Sequence, residues 1–526
     1  MVFLGSGTPI KLRGPPNPSF LFGNLKETWF STTPIGEPNL QEKWHERYGH
    51  TISTRSGFGA QRIVTTDAKA IQHIMRNEHI YGKPQGNLRI LKLILGEGSG
   101  SGIFVAEGEK HKLQRKVMNP AFAANQIREL TGTFFEKSFE LRDIWAAKIT
   151  SASGVGEIDS VDWLSKTTLD VIGLTGFNYH FNALNDTGKV NELNKAFSAI
   201  FGSSDMTSVW IPLQAQLPKA IKPLLMAFAR TSGAMAAMKS SAEIMQRTGK
   251  ELLAESKAYL AGTGEKNDNW GARDLLSLLL KSNMSTDIPE DERMSDADVI
   301  AQVPTFLIAG HETTSVSTTW ALFSLSRHQE IQTKLREELL SVPTEKPSMD
   351  VLNELPYLDA FVRETLRLYT PLTNVARIAL QDDIIPLAHP ITDSDGVVHD
   401  SLPVRKDQPL IIAVLGVNTD KTLWGSDAYE FRPDRWLKIP DDVHTIPGVW
   451  SNLMTFWGGS RACIGWRFSI IEMKALLFTL VRSFEFELAV PVEEIILHRV
   501  ASMQRPSLSS DDSRAKLPLL IKPLKS

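Results

Sequence analysis

A single cysteine, Cys463, in 526 residues is the feature that most narrows what this chain can become. No intrachain disulfide can form, and no thiolate cluster can hold zinc or an iron–sulfur centre. Burial of apolar surface must therefore hold the fold together. Hydrophobic residues make up 42% of the chain and charged residues 22%, enough for a large core. A chain without disulfides reads as intracellular or facing the cytosol. The formal net charge of −3 gives no electrostatic case for nucleic-acid binding. It leaves room for a local basic patch that meets an acidic protein partner.

Length alone suggests three or four domains of ~150 residues. No linker or repeat divides the chain, however, and the pattern predicts one large domain, mainly α with small β-sheets. The stretch Lys11-Leu12-Arg13-Gly14-Pro15-Pro16-Asn17-Pro18 is a stiff, extended entry. Residues 51–54 and 62–65 read as a hairpin around Gly57 and Gly59, and Asp67 caps a helix through Met75. Glycines mark a loop over 96–102. From Gly108 to about Leu340 the pattern is helical, clearest over 127–149, 161–174 and 296–325, with a polar break at 262–270. Residues 329–340 form a solvated helix face. After Tyr369 short Ile and Val runs predict a β zone to about Val417. A Pro-, Trp- and Gly-rich stretch follows, then a last helix behind Cys463 and short strands. No run of about 18 apolar residues is present, so no transmembrane helix is expected. The apolar stretch 209–229 carries Pro212, Pro218 and Pro223. It could lie on a bilayer but not span one as a single helix.

Cys463 stands in Phe456-Trp457-Gly458-Gly459-Ser460-Arg461-Ala462-Cys463-Ile464-Gly465, ahead of an apolar helix over 466–484. A thiol at a helix N-terminus meets free N–H groups that favour a thiolate. Gly459 and Gly465 allow the backbone close to a flat ligand. Arg461 can pair with a carboxylate on it, and Phe456 can shield the sulfur. This set suits a haem iron held by cysteine. The stretch resembles the Phe-x-x-Gly-x-Arg-x-Cys-x-Gly signature of the cytochrome P-450 family of haem-thiolate monooxygenases, with every signature position present.

A second motif, Ala309-Gly310-His311-Glu312-Thr313-Thr314, lies mid-helix. A glycine, an acid and hydroxyls are odd choices for a buried helix, where a threonine bonded back to its own carbonyls is the plainer expectation. The motif is similar to the family's distal-helix groove. That resemblance implies that Ala309 and Gly310 leave room for dioxygen, Thr313 hydrogen-bonds it and Glu312 helps deliver protons. A zinc-protease reading of His311-Glu312 fails, because Ser315 stands where the second histidine should be. Glu364-Thr365-Leu366-Arg367, followed by Phe431-Arg432-Pro433-Asp434-Arg435-Trp436, looks like the family's Glu-x-x-Arg helix and its Pro-x-Arg partner. Glu364, Arg367 and Arg435 would then form a buried ion network that locks the cysteine loop. By the same resemblance Arg461, Arg115 and Arg377 hold the haem propionates. His111 stands where the family often has tryptophan.

The resemblance covers essentially the whole chain and implies a cytochrome P-450 fold. Residues 1–13 would be a short lead without a membrane anchor, and 14–526 the monooxygenase domain. It implies haem b with an axial Cys463 thiolate, dioxygen as co-substrate, and electrons from NADPH through a flavoprotein cytochrome P-450 reductase. The location implied is the cytosolic face of the endoplasmic reticulum, with peripheral membrane contact open. The family's pocket-lining segments fall at 81–104, 206–217, 306–313 and 372–376. Phe306, Ala309, Leu372 and Val375 suggest a lipophilic substrate, a terpenoid for preference. The Pro-rich entry and the Gly-Phe-Gly turn look similar to fungal members serving secondary metabolism. Two other readings remain open at this level. One is a haem-thiolate isomerase or dehydratase, and the other is a haem-binding sensor without enzymatic activity.

Overall fold

Several helices begin where the sequence supplies an acceptor for their free N–H groups. In a computed structural model, residues 8–29, 31–95, 100–151, 154–185, 233–262, 273–500, 502–512 and 514–524 are described. Asp67 accepts from the Ala70 amide at 2.9 Å and starts α1, Ala68–Arg76. After it come α2, Gly108–Met118, and α3, Ala124–Ser151. Asp159 caps α4, Ser160–Phe177. Helix α5 is Gly233–Leu260, and Ser295 caps α6, Asp296–Arg327. Then follow α7, Gln329–Leu340, α8, Pro356–Leu368, and α9, Trp466–Ser483.

Helix α6 runs through the core, against α4, α5 and α9. Pro304 lies inside it without ending it, although proline removes one backbone donor there. The surrounding residues are buried on all sides, and that packing overrides local propensity. One continuous apolar core spans the helices, with Trp145, Trp320, Phe361 and Phe478 fully buried. Trp320 stacks on Tyr369 with ring centroids 4.6 Å apart.

The expected hairpin forms from β1, Thr51–Arg55, and β2, Gln61–Thr65, with Ile52 opposite Val64. It is one edge of a five-stranded sheet. The other strands are β3, Tyr81–Gly82, β4, Val375–Ala379, and β5, Pro409–Ile412, in the order β1-β2-β5-β4-β3. The later β zone thus splits. Only β4 and β5 join this sheet, while residues 383–392 and 398–404 pair with each other. Residues 414–418 turn helical, so the zone ends before Val417. Strands β6, Ile495–Val500, and β7, Met503–Leu508, form a hairpin in which His498 faces Arg505.

The stretches 209–229 and 206–217 lie outside the described residues, as do most of the polar break and part of the 96–102 loop. Among the described residues no helix is long and apolar enough to cross a membrane.

Candidate active site

Glu364 and Arg367 lie one turn apart on α8 and are both fully buried. Arg367 makes a two-pronged contact, Nε to Glu364 Oε2 at 2.9 Å and Nη2 to Oε1 at 2.8 Å. Its remaining N–H groups donate to the carbonyls of Asn418, Ala428 and Glu430 at 3.0, 2.6 and 3.2 Å. The carboxylate also accepts from Trp436 Nε1 at 3.1 Å and the Arg432 amide at 2.9 Å, with Arg435 Nε at 3.4 Å. A buried ion pair is tolerated when every lone pair and proton is met in this way. The structure thus brings the three predicted residues into one network that holds an otherwise irregular stretch. Asn418 then carries the order onward. Its side chain accepts from the Met454 amide at 3.0 Å and donates to Thr455 Oγ1 at 2.9 Å. The next residue, Phe456, offers its carbonyl to the Cys463 amide at 2.8 Å.

Within that loop, Gly458 has no room for a side chain, since a Cβ would lie 2.0 Å from the Pro447 carbonyl oxygen. Gly459 adopts a positive φ of 66°, which glycine takes at no steric cost. Helix α9 starts only at Trp466, after Gly465. Cys463 has accessible surface, yet surrounding protein desolvates its thiol and pushes its pKa up. The Gly465 amide and Arg115 pull it down and are outweighed. The backbone amide thus acts in the expected direction, burial outweighs it in the free thiol, and a bound metal cation would complete the deprotonation of the sulfur. An accessible residue that is nonetheless desolvated opens onto internal space. The middle of α6 carries a similar signature, with 308–313 half-exposed between fully buried turns.

The α6 motif is tied both to its own backbone and to α4. Thr313 Oγ1 donates to the Ala309 carbonyl at 2.6 Å, the back-bonded state that helix physics suggests. Gly310 is turned to α4, where a Cβ would lie 2.9 Å from Ile172 Cδ1. Its missing side chain therefore lets two helices approach, and this packing supplies the reason for the glycine. His311 meets Ser165 Oγ at 2.8 Å, and Thr168 Oγ1 donates to the His311 carbonyl at 2.9 Å. Glu312 pairs with Arg505. Glu472 on α9 is buried with the Thr314 hydroxyl as its polar neighbour, and that hydroxyl pulls its pKa down only weakly against burial. Burial pushes this acid well above the usual carboxylate range.

Around the loop, cations outnumber anions. Arg115 Nη1 donates to the Ala462 carbonyl at 2.5 Å. Arg461 pairs with Glu107 at 2.8 Å and Glu78 at 3.2 Å. Arg377 lies over the Trp457 ring at 5.0 Å and is pushed down to about 10 by burial and then by Arg461. Lys83, 3.5 Å from Glu107, is pushed down to about 8, chiefly by burial, with Arg461 and Arg377 adding to it. His111 is driven to about 4 by burial, Arg461 and Lys83, and is neutral at physiological pH. Arg461, Lys83 and Arg377 thus share Glu107 and Glu78, and Arg115 lies beside Cys463 on the Ala462 carbonyl, so these four cations exceed the two carboxylates by two positive charges. That excess fits the two propionates of haem, and the accessible, enclosed Cys463 fits its iron.

Of the expected pocket residues, Leu372 is exposed and Val375 and Ala309 are half-buried. Phe306 is buried. It is packed between Phe122 and Phe177, at centroid distances of 5.5 and 6.3 Å, because it sits on the core side of α6. Sequence reasoning missed Lys83, Arg505 and Glu472. Lys83 adjoins a two-residue strand, and Arg505 has no fixed spacing from any motif. Glu472 carried a signal, an acid inside an apolar helix.

A family model for cytochrome P-450 matches residues 13–508. Cytochrome P-450 monooxygenase 205 of Postia placenta is 48% identical, over 99% of this chain and 94% of that protein. Cytochrome P-450 monooxygenase 128 of the same fungus is 48% identical, over 97% and 92%. A ganoderic acid synthetase of Ganoderma lucidum is 32% identical, over 98% and 94%.

Proposed function

The chain belongs to the cytochrome P-450 family of monooxygenases, and on that premise we propose that it places one oxygen atom from dioxygen into a C–H bond of a lipophilic natural product, a terpenoid for preference, in fungal secondary metabolism. Haem bound through the Cys463 thiolate supplies the oxygen activation. The observation that carries the reading is the loop itself: one accessible cysteine, held by the Glu364–Arg367–Arg435 network, beside two uncompensated positive charges.

The chain's own residues then take these parts. Arg115, Arg377 and Arg461 bind the propionates, with neutral His111 as an added hydrogen-bond donor and Lys83 as a further cation. Phe456 keeps water from the sulfur, and Gly459 and Gly465 let the backbone lie close to the ring. Thr313 must leave the Ala309 carbonyl to offer its hydroxyl to dioxygen. Glu312 holds or releases a proton at its carboxylate. Leu372, Val375 and Ala309 present apolar surface to the substrate. Electrons come from NADPH through a separate flavoprotein reductase, steered to the protein by complementary charge. Similarity to a ganoderic acid synthetase supports a lipophilic natural product as substrate.

The test is to titrate the ferric holoenzyme with a terpenoid panel and a fatty-acid panel, following the spin-state shift. Hits are then turned over with reductase and NADPH. A terpenoid that shifts the spectrum and gains one oxygen atom supports the reading. Shifts with fatty acids alone would overturn the substrate class.

A further inference from the structure

A second recess is lined by neither the cysteine loop nor the expected substrate residues. It is a cleft of about 370 Å³ between the helix Leu40–Tyr48, the C-terminal ends of α6 and α8, and the β6/β7 hairpin. That volume is of the size that holds small organic ligands. Leu497 and Gln504 line it from the two strands of the hairpin. Arg499 stands two residues beyond Leu497 and directly opposite Gln504, so its side chain leaves the hairpin on the same face. Arg499 and Gln504 are 3% and 2% exposed. Arg499 Nη1 donates to Gln41 Oε1 at 3.3 Å, while its Nε and the Gln504 Nε2 have no partner among the described residues. A buried donor without an acceptor is costly, and two of them on one face beside a cleft call for one.

We propose that this cleft is a second ligand site, which takes a small monocarboxylate with an apolar body. Arg499 and Gln504 hold the carboxylate, and Leu415, Leu497 and Phe431 face the body. A guanidinium and an amide side by side supply the planar donors that a carboxylate accepts. The charges around the cleft suit one negative charge rather than two. Arg327, exposed at the rim, has no ion pair among the described residues and lies over the Phe323 ring at 5.8 Å. Glu42 is the acid that acts on Arg499. Its carboxylate is already engaged by the Asn39 amide at 2.6 Å and by the Thr419 hydroxyl. Burial pushes it up to about 7 against those bonds and Arg499, so it is only partly charged at neutral pH. Glu37 is paired with Lys43 at 3.3 Å and Arg432 with Asp427, while Glu430 stands exposed at the rim. A phosphate dianion would meet these acids with twice the repulsion of a carboxylate.

The experiment is isothermal titration calorimetry of the full-chain holoenzyme, with phenylimidazole on the haem iron so that the substrate space is filled. The probes are benzoate and hexanoate, their neutral analogues benzyl alcohol and hexanol, and inorganic phosphate. One carboxylate should bind per chain. Each alcohol should bind at least about tenfold more weakly, because the hydrogen bonds to a charged group are lost. Phosphate should also bind more weakly than benzoate. Gln504→Leu and Arg499→Met should each weaken benzoate by about tenfold, and Glu42→Gln should keep or tighten it. Gln504→Leu is close in shape and carries the test if Arg499→Met does not fold. Benzoate should also raise the urea midpoint of the wild type and leave that of Gln504→Leu unmoved. Alcohols or phosphate as tight as the acids would overturn the proposal. So would an unchanged affinity in Gln504→Leu, or a Glu42→Gln variant that binds several-fold more weakly. An absence of saturable binding would overturn it as well, since ordered water alone then meets the two donors. None of these failures touches the monooxygenase reading, which rests on other residues.

Discussion

Glu472 tests at the scale of one residue how burial governs charge in this protein. Its carboxyl is 1% exposed, and burial raises its pKa, so the folded state binds a proton that the unfolded state has lost. Stability from this group is therefore fully present below the free-acid pKa and is lost as pH rises toward the folded value. Glu472→Gln keeps the shape and removes the titration. The variant should gain on the wild type by about 1.4 kcal/mol per pH unit above the free-acid value, while the folded acid stays protonated. Urea unfolding between about pH 5 and pH 8 measures it, and parallel curves would contradict it. Cys463 shows the same force acting on a thiol. Cys463 was legible in the sequence because its loop is a contiguous motif. Lys83 and Arg505 were not legible, because their partners are set by tertiary contact and no spacing announces them.

At the scale of elements, the packing of α4 on α6 and the pinning by α8 are the two relations that place the site. Gly310→Ala gains about 1 kcal/mol of helix propensity but forces a methyl against Ile172. Overpacking costs about 1–3 kcal/mol, so a net loss of about 1 kcal/mol is expected, with Ile172→Val restoring part of it. A cycle of thermal or urea unfolding would show the coupling, and an additive result would remove the contact as the reason for the glycine. Arg367→Leu leaves Glu364 buried without its two-pronged partner. The expected loss is about 3–5 kcal/mol of stability, seen as a lower urea midpoint, together with poor haem retention. The long helices were readable in outline: α3 and α4 from apolar residues recurring on one face, α6 from its long helical stretch, and α7 from its charged, solvated face. The union of β4 and β5 with the first hairpin was not, because pairing across hundreds of residues leaves no local trace. The aromatic surroundings of Phe306 were not legible for a related reason. Period places a residue on a helix but does not say which neighbour covers that face.

Across the whole molecule, the account depends on a charge imbalance converging on one cysteine. Arg377→Leu or Lys83→Met removes one of the two excess positive charges. Either variant should release haem to apomyoglobin several-fold faster than the wild type, and equal rates would contradict the propionate assignment. The chain matches its fungal relatives along nearly its full length, so the fold class and the cysteine signature follow from the sequence. The substrate does not follow from it, because pocket shape is assembled from separate segments. The most direct test is the absorption spectrum of the reduced holoenzyme under carbon monoxide, for the wild type and Cys463→Ala. The account predicts the strongly red-shifted Soret band of thiolate-ligated ferrous haem in the wild type and its loss in the variant. A band typical of histidine ligation in the wild type, or a red-shifted band that survives in Cys463→Ala, would contradict it.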